Sequence, residues 1–210
     1  MLPEMSDKDA NIENIAERAL EDEELLCKLF EGLRTKEETL RYNCFKALML
    51  ISEKHGEVLY PKWDYLAGLL SSDNTYWKLS GLQLIANLTK VDRENKFEQI
   101  FDKYYELIDD KSMIVATYVA KNSWKIVNAK PQLETRITNK LLSIDGTHHA
   151  LGRKDLVKAG AIEAFSQYFE GAKDKDKITE FVKQQLTSGS PKTRKIAKEF
   201  LQSGKNKIRH

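Results

Sequence analysis

Residues that could do chemistry are few in this sequence, and the clearest group is a histidine pair. His148 and His149 are adjacent, and Asp145 lies three residues before the first of them. Imidazole nitrogens and carboxylates bind metals and transfer protons. Neighbouring residues of a helix point about 100° apart, so Asp145 and one histidine could share a metal ion, but both histidines could not readily do so. Two ligands do not complete a site, so we expect a solvated helix start, no metal ion and no effect of chelators on thermal stability.

Aromatic side chains form the second candidate group, because they could stack on a ligand or on one another. Tryptophans and tyrosines in segments with helical periodicity are typical of a hydrophobic core, and core packing is the favoured interpretation of the tryptophans. An aromatic recognition surface is the alternative. The residues concerned are Trp63, Trp77, Trp124, Tyr76, Tyr104, Tyr105 and Tyr118.

The strongest electrostatic signal is a basic cluster near the C-terminus. Residues 173–210 contain eleven Lys or Arg against four acidic residues, a net charge of +7, whereas residues 1–24 contain nine acidic against two basic residues, a net charge of −7. Polar caps at the two ends of a repeat protein would explain this pattern. A patch for phosphate or for an acidic partner is the alternative, and nucleic-acid binding there would be sensitive to salt. The cluster comprises Lys192, Arg194, Lys195, Lys198, Lys205, Lys207 and Arg209.

Other chemical signatures are missing from the sequence. It contains no Gly-rich phosphate loop, no metalloprotease motif and no nucleophile elbow, so we expect no cofactor. Cys27 and Cys44 lie among apolar residues and are expected to be buried and unreactive. The first residues do not resemble a secretion signal, and no run reaches the roughly 18 apolar residues of a membrane span. A cytoplasmic location and no membrane partner are therefore expected.

The elements that position these residues recur at a regular interval. Helix-like segments alternate with short polar turns near residues 34–37, 71–74, 109–112, 145–148 and 187–190, about every 36 to 42 residues. A helical pair of this size cannot bury its apolar stripe alone, so neighbouring pairs must stack. Apolar residues at 41% and charged residues at 31% fit a packed core beneath a charged surface.

Local signals predict where individual helices begin and end. Thr35 with Glu38 predicts a capping box, Asp73 a helix cap, and Ser190 a cap followed by Pro191 in the first turn. An acidic capping segment is expected over 1–22, with its helix over 11–20. Residues 205–210 are expected to fray after a helix that ends at Gly204. The segment 147–169 contains Gly152 and Gly160, which predict a kink, a break or a close helix crossing.

Two segments resemble the HEAT and armadillo group of helical repeats. Residues 191–197, Pro-Lys-Thr-Arg-Lys-Ile-Ala, look like the opening of a HEAT second helix, and residues 35–44, with Arg41, are similar. In that group a turn Asp is often followed six residues later by an Arg. The corresponding pairs here are Asp73 and Leu79, Asp110 and Ala116, and Asp145 and Leu151.

The resemblance implies an all-α fold, a right-handed α–α superhelix of about five HEAT-like helical pairs with an N-terminal capping helix, in a single domain over 1–210. It also implies a non-enzymatic scaffold or adaptor that binds a protein or peptide along the concave row of second helices, or nucleic acid through the basic C-terminal end. The expected partner-binding residues are Tyr76, Lys78, Lys121, Lys125, Arg153, Lys154, Lys192, Arg194 and Lys195.

An enzymatic alternative comes from the same resemblance. Some HEAT-like proteins are DNA glycosylases for alkylated purines, in which concave aromatic residues lie beside an Asp. The reaction needs a carboxylate to stabilise positive charge that develops on the sugar. One helical turn after Trp124 stands Asn128, and one turn after Trp77 stands Gly81. Because neither is an acid, the glycosylase is the less favoured hypothesis.

Overall fold

The chain folds into helices over the residues that its computed structural model describes, 3–207. That part of the chain contains twelve α-helices, joined by turns and short 3-10 segments, and no β-strand. The predicted all-α class is confirmed. The helices are α1 Ile12–Arg18, α2 Glu23–Gly32, α3 Glu38–Lys54, α4 Gly56–Leu59, α5 Trp63–Leu69, α6 Thr75–Leu88, α7 Lys96–Glu106, α8 Met113–Ala129, α9 Glu134–Leu142, α10 Leu151–Tyr168, α11 Lys175–Gln184 and α12 Pro191–Lys207.

Shorter and longer helices alternate along most of this length. The shorter ones, α2, α5, α7, α9 and α11, have 7 to 11 residues and are called first helices below. The longer ones, α3, α6, α8, α10 and α12, have 14 to 18 residues and are called second helices. Each first helix is followed by a polar turn and its second helix, which is the order that the sequence pattern predicts.

Polar side chains cap the second helices α3, α6 and α12, in two cases one or two residues from the expected position. Glu37, not Thr35, caps α3: its carboxylate accepts the backbone N–H groups two and three residues later at 2.9 and 2.6 Å. Asn74, not Asp73, caps α6 in the same way at 2.9 and 3.3 Å. Before α12, the Ser190 hydroxyl accepts a backbone N–H three residues later at 3.3 Å, as predicted.

Helix α10 is continuous over 18 residues although two glycines interrupt its sequence. A Cβ at Gly160 would lie 2.9 Å from the Thr117 carbonyl oxygen of α8 and 3.4 Å from the Lys121 backbone nitrogen. A Cβ at Gly152 would have no neighbour within 4 Å. Of the three outcomes that the glycines predict, the close crossing is confirmed at Gly160, and the break does not occur.

The described chain forms two compact units, and unit 1 extends to Glu98. Its helix α3 packs against both α1 and α6, while α2 packs on α3 and α5 on α6. Buried amides join residues that are about one predicted repeat apart. The Asn43 side-chain NH₂ donates to the Met5 carbonyl oxygen at 2.9 Å, 38 residues away, and that of Asn87 donates to the Ser52 hydroxyl at 2.7 Å, 35 residues away.

Unit 2 begins at Gln99 and has a corresponding internal order. Its helix α10 packs against both α8 and α12, and the first helices α9 and α11 pack against each other. The Thr193 hydroxyl donates to the Asp155 carbonyl oxygen at 2.8 Å, and the Ser188 hydroxyl donates to the Asp155 carboxylate at 2.7 Å. These bonds span 38 and 33 residues, so in each unit hydrogen bonds join residues about one predicted repeat apart. The single domain expected from the sequence stays a prediction.

Apolar side chains on the facing sides of these helices form the cores of the units. Trp63 and Tyr104 are among the largest fully buried side chains. Cys44 is buried, as expected, and burial, with the charge of Glu37, raises the pKa of its thiol to about 12, so this thiol stays protonated. Cys27 is half-buried rather than buried.

The last helix is longer than predicted, because α12 passes through Gly204 and ends at Lys207. Of the tail expected to fray, 208–210 lies outside the described residues, as do residues 1 and 2 of the acidic capping segment. A search of the described helices for one with the length and apolarity of a membrane span finds none.

Candidate partner-binding surface

Second helices of unit 2 carry most of the residues that were predicted to bind a partner. Lys121 and Lys125 lie four residues apart on α8, and Lys192 and Lys195 lie three residues apart on α12. Each of these spacings places two side chains on one face of a helix. Helix α10 packs against both α8 and α12 and therefore links the two pairs.

Glu163 on α10 is the carboxylate at the centre of this arrangement. One of its oxygens lies 3.1 Å from the Lys121 Nζ and the other 3.9 Å from the Lys192 Nζ. The lysine side chains are 52% and 62% exposed and that of Glu163 is 29% exposed, so these contacts lie at the surface. We call Lys121, Lys125, Lys192 and Lys195, with Glu163 between them, the basic strip.

Helices α8 and α10 run in the same direction, so the surface that holds the strip continues along α10 beyond Glu163. Gly160 lies against Thr117, and three residues further along α10 Glu163 contacts Lys121, four residues further along α8. Contact positions increase together on the two helices, so α8 and α10 run parallel. Gln167 is exposed one turn beyond Glu163 and therefore continues this surface of α10.

Two of the basic residues outside the strip, Arg194 and Lys154, donate to carbonyl oxygens of the turns that precede their helices. The Arg194 guanidinium donates to the carbonyl oxygens of Ser188 at 2.6 Å and Gly189 at 3.2 Å. The Lys154 Nζ donates to the Asp145 carbonyl oxygen at 2.7 Å, and Arg153 is exposed in the first turn of α10. Lys154 thus holds the turn before α10, and Arg194 holds the turn before α12.

Arg194 and Arg41 make the same local contact at the two HEAT-like openings. Arg41 donates to the Thr35 carbonyl oxygen at 3.1 Å, six residues back, and Arg194 donates to the Ser188 carbonyl oxygen, also six residues back. A backbone carbonyl thus takes the place of the turn Asp carboxylate that the resemblance describes. A comparison of Asp positions alone does not reveal this contact, because its acceptor is a backbone oxygen.

In unit 1, the two predicted site residues have different surroundings. Tyr76 is 55% exposed in the first turn of α6, and the Arg41 guanidinium of α3 lies 4.4 Å from the centre of its ring. Lys78 is only 7% exposed, so the structure places it in the packed part of the unit and not on an accessible face. The sequence pattern predicted an accessible side chain at Lys78. The structure instead packs it among the buried residues of α6.

The histidine pair contacts the preceding helical pair instead of Asp145. The Asp109 carboxylate accepts the His148 backbone N–H at 2.7 Å and lies 2.5 Å from the His148 Nδ1. His149 is buried, with its Nε2 3.2 Å from the Ile108 carbonyl oxygen. Asp145 instead pairs with the Nζ of the buried Lys158 at 2.6 Å. The alternative in which Asp145 joins a histidine is not supported, because the carboxylate beside His148 comes from 39 residues earlier. The expected solvated helix start is corrected at His149, which is buried.

These contacts shift the acidity of Asp109. Burial raises the pKa of its carboxyl group, but hydrogen bonds from the His148 backbone and ring, together with the charges of both histidines, lower it by more. The net effect is a pKa below the ordinary value. His148 is thus a link between neighbouring helical pairs, and within residues 3–207 no three His, Cys, Asp or Glu side chains are grouped so that they could hold a metal ion.

Most of the aromatic side chains that the sequence singled out are buried or half-buried. Trp63 is buried, whereas Trp77 and Trp124 are half-buried. The Arg34 guanidinium lies 5.2 Å from the Trp77 ring centre, and the Lys125 Nζ lies 5.9 Å from that of Trp124. Core packing is confirmed for Trp63, while the other two tryptophans are partly accessible beneath cations.

A buried carboxylate that the sequence analysis did not consider lies in unit 2. Glu134 is buried, and its carboxylate accepts hydrogen bonds from the hydroxyls of Thr138 at 3.0 Å and Thr135 at 3.2 Å. Thr138 is also 2.9 Å from the Tyr168 hydroxyl, and burial raises the pKa of Tyr168. Because Glu134, Thr138 and Tyr168 are enclosed and hydrogen-bonded to one another, this network is part of the core.

Comparison with known proteins adds no assignment. No protein-family model matches the sequence, and no curated protein matches it significantly. The functional conclusion therefore depends on the arrangement of the residues described above.

Proposed function

We propose that this chain is a non-enzymatic helical-repeat scaffold or adaptor of HEAT-like architecture, which binds a protein or peptide partner on its second helices. The packing of α3 with α1 and α6, and of α10 with α8 and α12, supports a repeat of similar helical pairs within each unit. Hydrogen bonds between residues 33 to 39 positions apart support the same interpretation. Repeats of this kind present extended surfaces that bind other molecules.

The observation that carries the proposal is the basic strip of unit 2. It places lysines on α8 and α12, the second helices on either side of α10, and the side chains of Lys121 and Lys192 are 52% and 62% exposed. A typical exposed ion pair contributes only about 0–1 kcal/mol, so stability alone gives little reason to assemble this cluster. A charged surface of this kind guides and orients an oppositely charged partner.

A matched pair of triple variants tests the proposal. Lys121, Lys192 and Lys195 are changed to Gln in the strip variant. Lys173, Lys177 and Lys183, which are exposed on or just before α11, are changed to Gln in the control. Both variants lose three positive charges, so a difference between them depends on position.

The measurement is affinity capture from a lysate of the source cells, with and without nuclease, followed by quantitative mass spectrometry. We expect specific polypeptides that bind the wild type and the control, are depleted at least several-fold on the strip variant, and survive nuclease treatment. Equal capture by all three proteins would overturn the proposal. Capture that nuclease abolishes would favour the nucleic-acid alternative instead.

A further inference from the structure

Glu163 suggests what kind of partner the strip accepts. We propose that the docking segment is acidic, and that its carboxylates replace Glu163 as the counter-ions of Lys121 and Lys192. This inference rests on the proposed function and adds to it the chemical class of the partner and a specificity-determining residue.

Charge complementarity favours an acidic occupant. The strip has four lysines, Glu163 faces two of them, and Glu199 lies 3.9 Å from the Nζ of Lys195. Each lysine ammonium is a compact charge with three donors on a flexible stem, so it can turn from one carboxylate to another at little cost. Lys121, Lys192 and Lys195 therefore carry one more positive charge than Glu163 and Glu199 together neutralise.

The Glu163 carboxylate lies closer to the Lys121 Nζ than to the Lys192 Nζ. The contact with Lys121, 3.1 Å, is within hydrogen-bonding range, whereas the contact with Lys192, 3.9 Å, is a longer electrostatic contact. The single negative charge of Glu163 neutralises only one of the two ammonium charges that approach from helices on either side of α10. A partner with several carboxylates along an extended backbone could provide one for each lysine.

An acidic peptide fits this surface better than nucleic acid does. Proteins that bind single strands use exposed aromatic rings on which bases stack. In unit 2, every aromatic side chain within residues 99–203 is buried or half-buried. Arg194, the arginine nearest the strip lysines in α12, already donates to two carbonyl oxygens of its own turn. Within residues 99–203 the surface thus has exposed cations and no exposed Phe, Tyr or Trp ring on which a base could stack.

The substitution Glu163→Gln tests the role of this carboxylate. Gln keeps the size of Glu and removes its charge, so Lys121 and Lys192 lose their internal counter-ion. The probe is a fluorescein-labelled poly-L-glutamate peptide, titrated with the full-length protein at low ionic strength and followed by fluorescence anisotropy. We expect Glu163→Gln to lower the dissociation constant roughly three- to tenfold, because the peptide no longer competes with two surface ion pairs.

Two controls separate this role from a structural one. Glu199→Gln removes the same charge from the edge of the strip, where Glu199 contacts one lysine, so we expect a smaller tightening. Thermal unfolding of each variant shows whether the fold is retained. If Glu163 only stabilised the packing of α8, α10 and α12, Glu163→Gln would lower the melting temperature and leave the affinity unchanged.

The remaining outcomes test the displacement of Glu163, the acidic character of the partner and the choice of a peptide. If wild type binds the peptide and Glu163→Gln binds it equally or more weakly, displacement of Glu163 is overturned, while partner binding on the strip stands. If the strip variant binds poly-L-glutamate as well as wild type, or if wild type does not bind it, the acidic partner is overturned. Tighter binding of a single-stranded oligonucleotide of equal charge would overturn the choice of a peptide. The lysate capture tests the proposed function separately from all of these results.

Discussion

Gly160 determines how closely α10 can approach α8. A methyl group at this position would meet the Thr117 carbonyl oxygen at 2.9 Å, and a backbone atom cannot turn aside as a flexible side chain can. Glycine at this position therefore permits the close helix crossing that brings Glu163 near Lys121. Its cost in helix propensity, up to about 1 kcal/mol relative to Ala, is offset by the packing that it permits.

We expect Gly160→Ala to destabilise the protein by about 1–3 kcal/mol, because the two helices must move apart. Gly152→Ala is the matched control, since it lies in the same helix with no atom within 4 Å of the new Cβ. The control should be neutral or stabilise the fold by up to about 1 kcal/mol. Urea unfolding measures both, and equal stability of the two variants would contradict the close crossing.

Asp109 should make a pH-dependent contribution to stability. A carboxyl group with a lowered pKa in the folded state stabilises the fold above its unfolded pKa, and this stability is lost as the pH falls through the folded pKa. We therefore expect Asp109→Asn to destabilise the protein near neutral pH and to approach wild type below about pH 4. Asp176→Asn, on the exposed side of α11, is the control. Urea unfolding over a pH series measures the effect, and a difference from wild type that does not change with pH would exclude it.

At the scale of elements, hydrogen bonds from side chains to the backbone hold the turns that begin second helices. Arg41 and Arg194 each reach back six residues to a carbonyl oxygen, and Thr193 and Ser188 connect the start of α12 to Asp155 of α10. These bonds satisfy backbone groups that a turn leaves exposed. They also fix where one helical pair begins relative to its neighbour.

We expect Arg194→Lys to destabilise unit 2 by about 1 kcal/mol, since Lys keeps the charge but loses the rigid, planar guanidinium whose Nη1 donates to both carbonyl oxygens. Lys195→Arg is the matched control on the same helix, where the side chain is exposed and lies 3.9 Å from Glu199. Thermal unfolding compares the two. If Arg194→Lys were as stable as the control, Arg194 would not brace the turn.

Much of the element order can be predicted from the sequence, because helical periodicity and polar turns are local signals. The caps were harder to place, since Asp73 and Asn74 are both good capping residues and only the backbone geometry selects Asn74. The continuity of α10 could not be predicted from the sequence, for a different reason. The glycines of α10 read as interruptions, whereas packing against α8 makes Gly160 useful.

At the scale of the whole molecule, the candidate surface depends on contacts between residues of different helical pairs. The sequence pattern is enough to select three exposed cations of second helices, Lys121, Lys192 and Lys195. Glu163 could not be selected in this way, because its role depends on the register between α8 and α10, which sequence spacing does not specify. The same limit applies to His148 and Asp109, which are 39 residues apart. A search for opposite charges one repeat apart would have proposed both pairs.

The most direct test of partner binding on the second helices is site-specific photo-crosslinking. A photoreactive amino acid is placed at Gln167, which is exposed on α10 one turn beyond Glu163, and separately at Gln184, which is exposed at the end of α11. Cells that express either variant are irradiated, and the adducts are identified by mass spectrometry. We predict a defined polypeptide adduct from position 167 and none from position 184. Equal adducts from both positions, or none from position 167, would contradict binding on the strip.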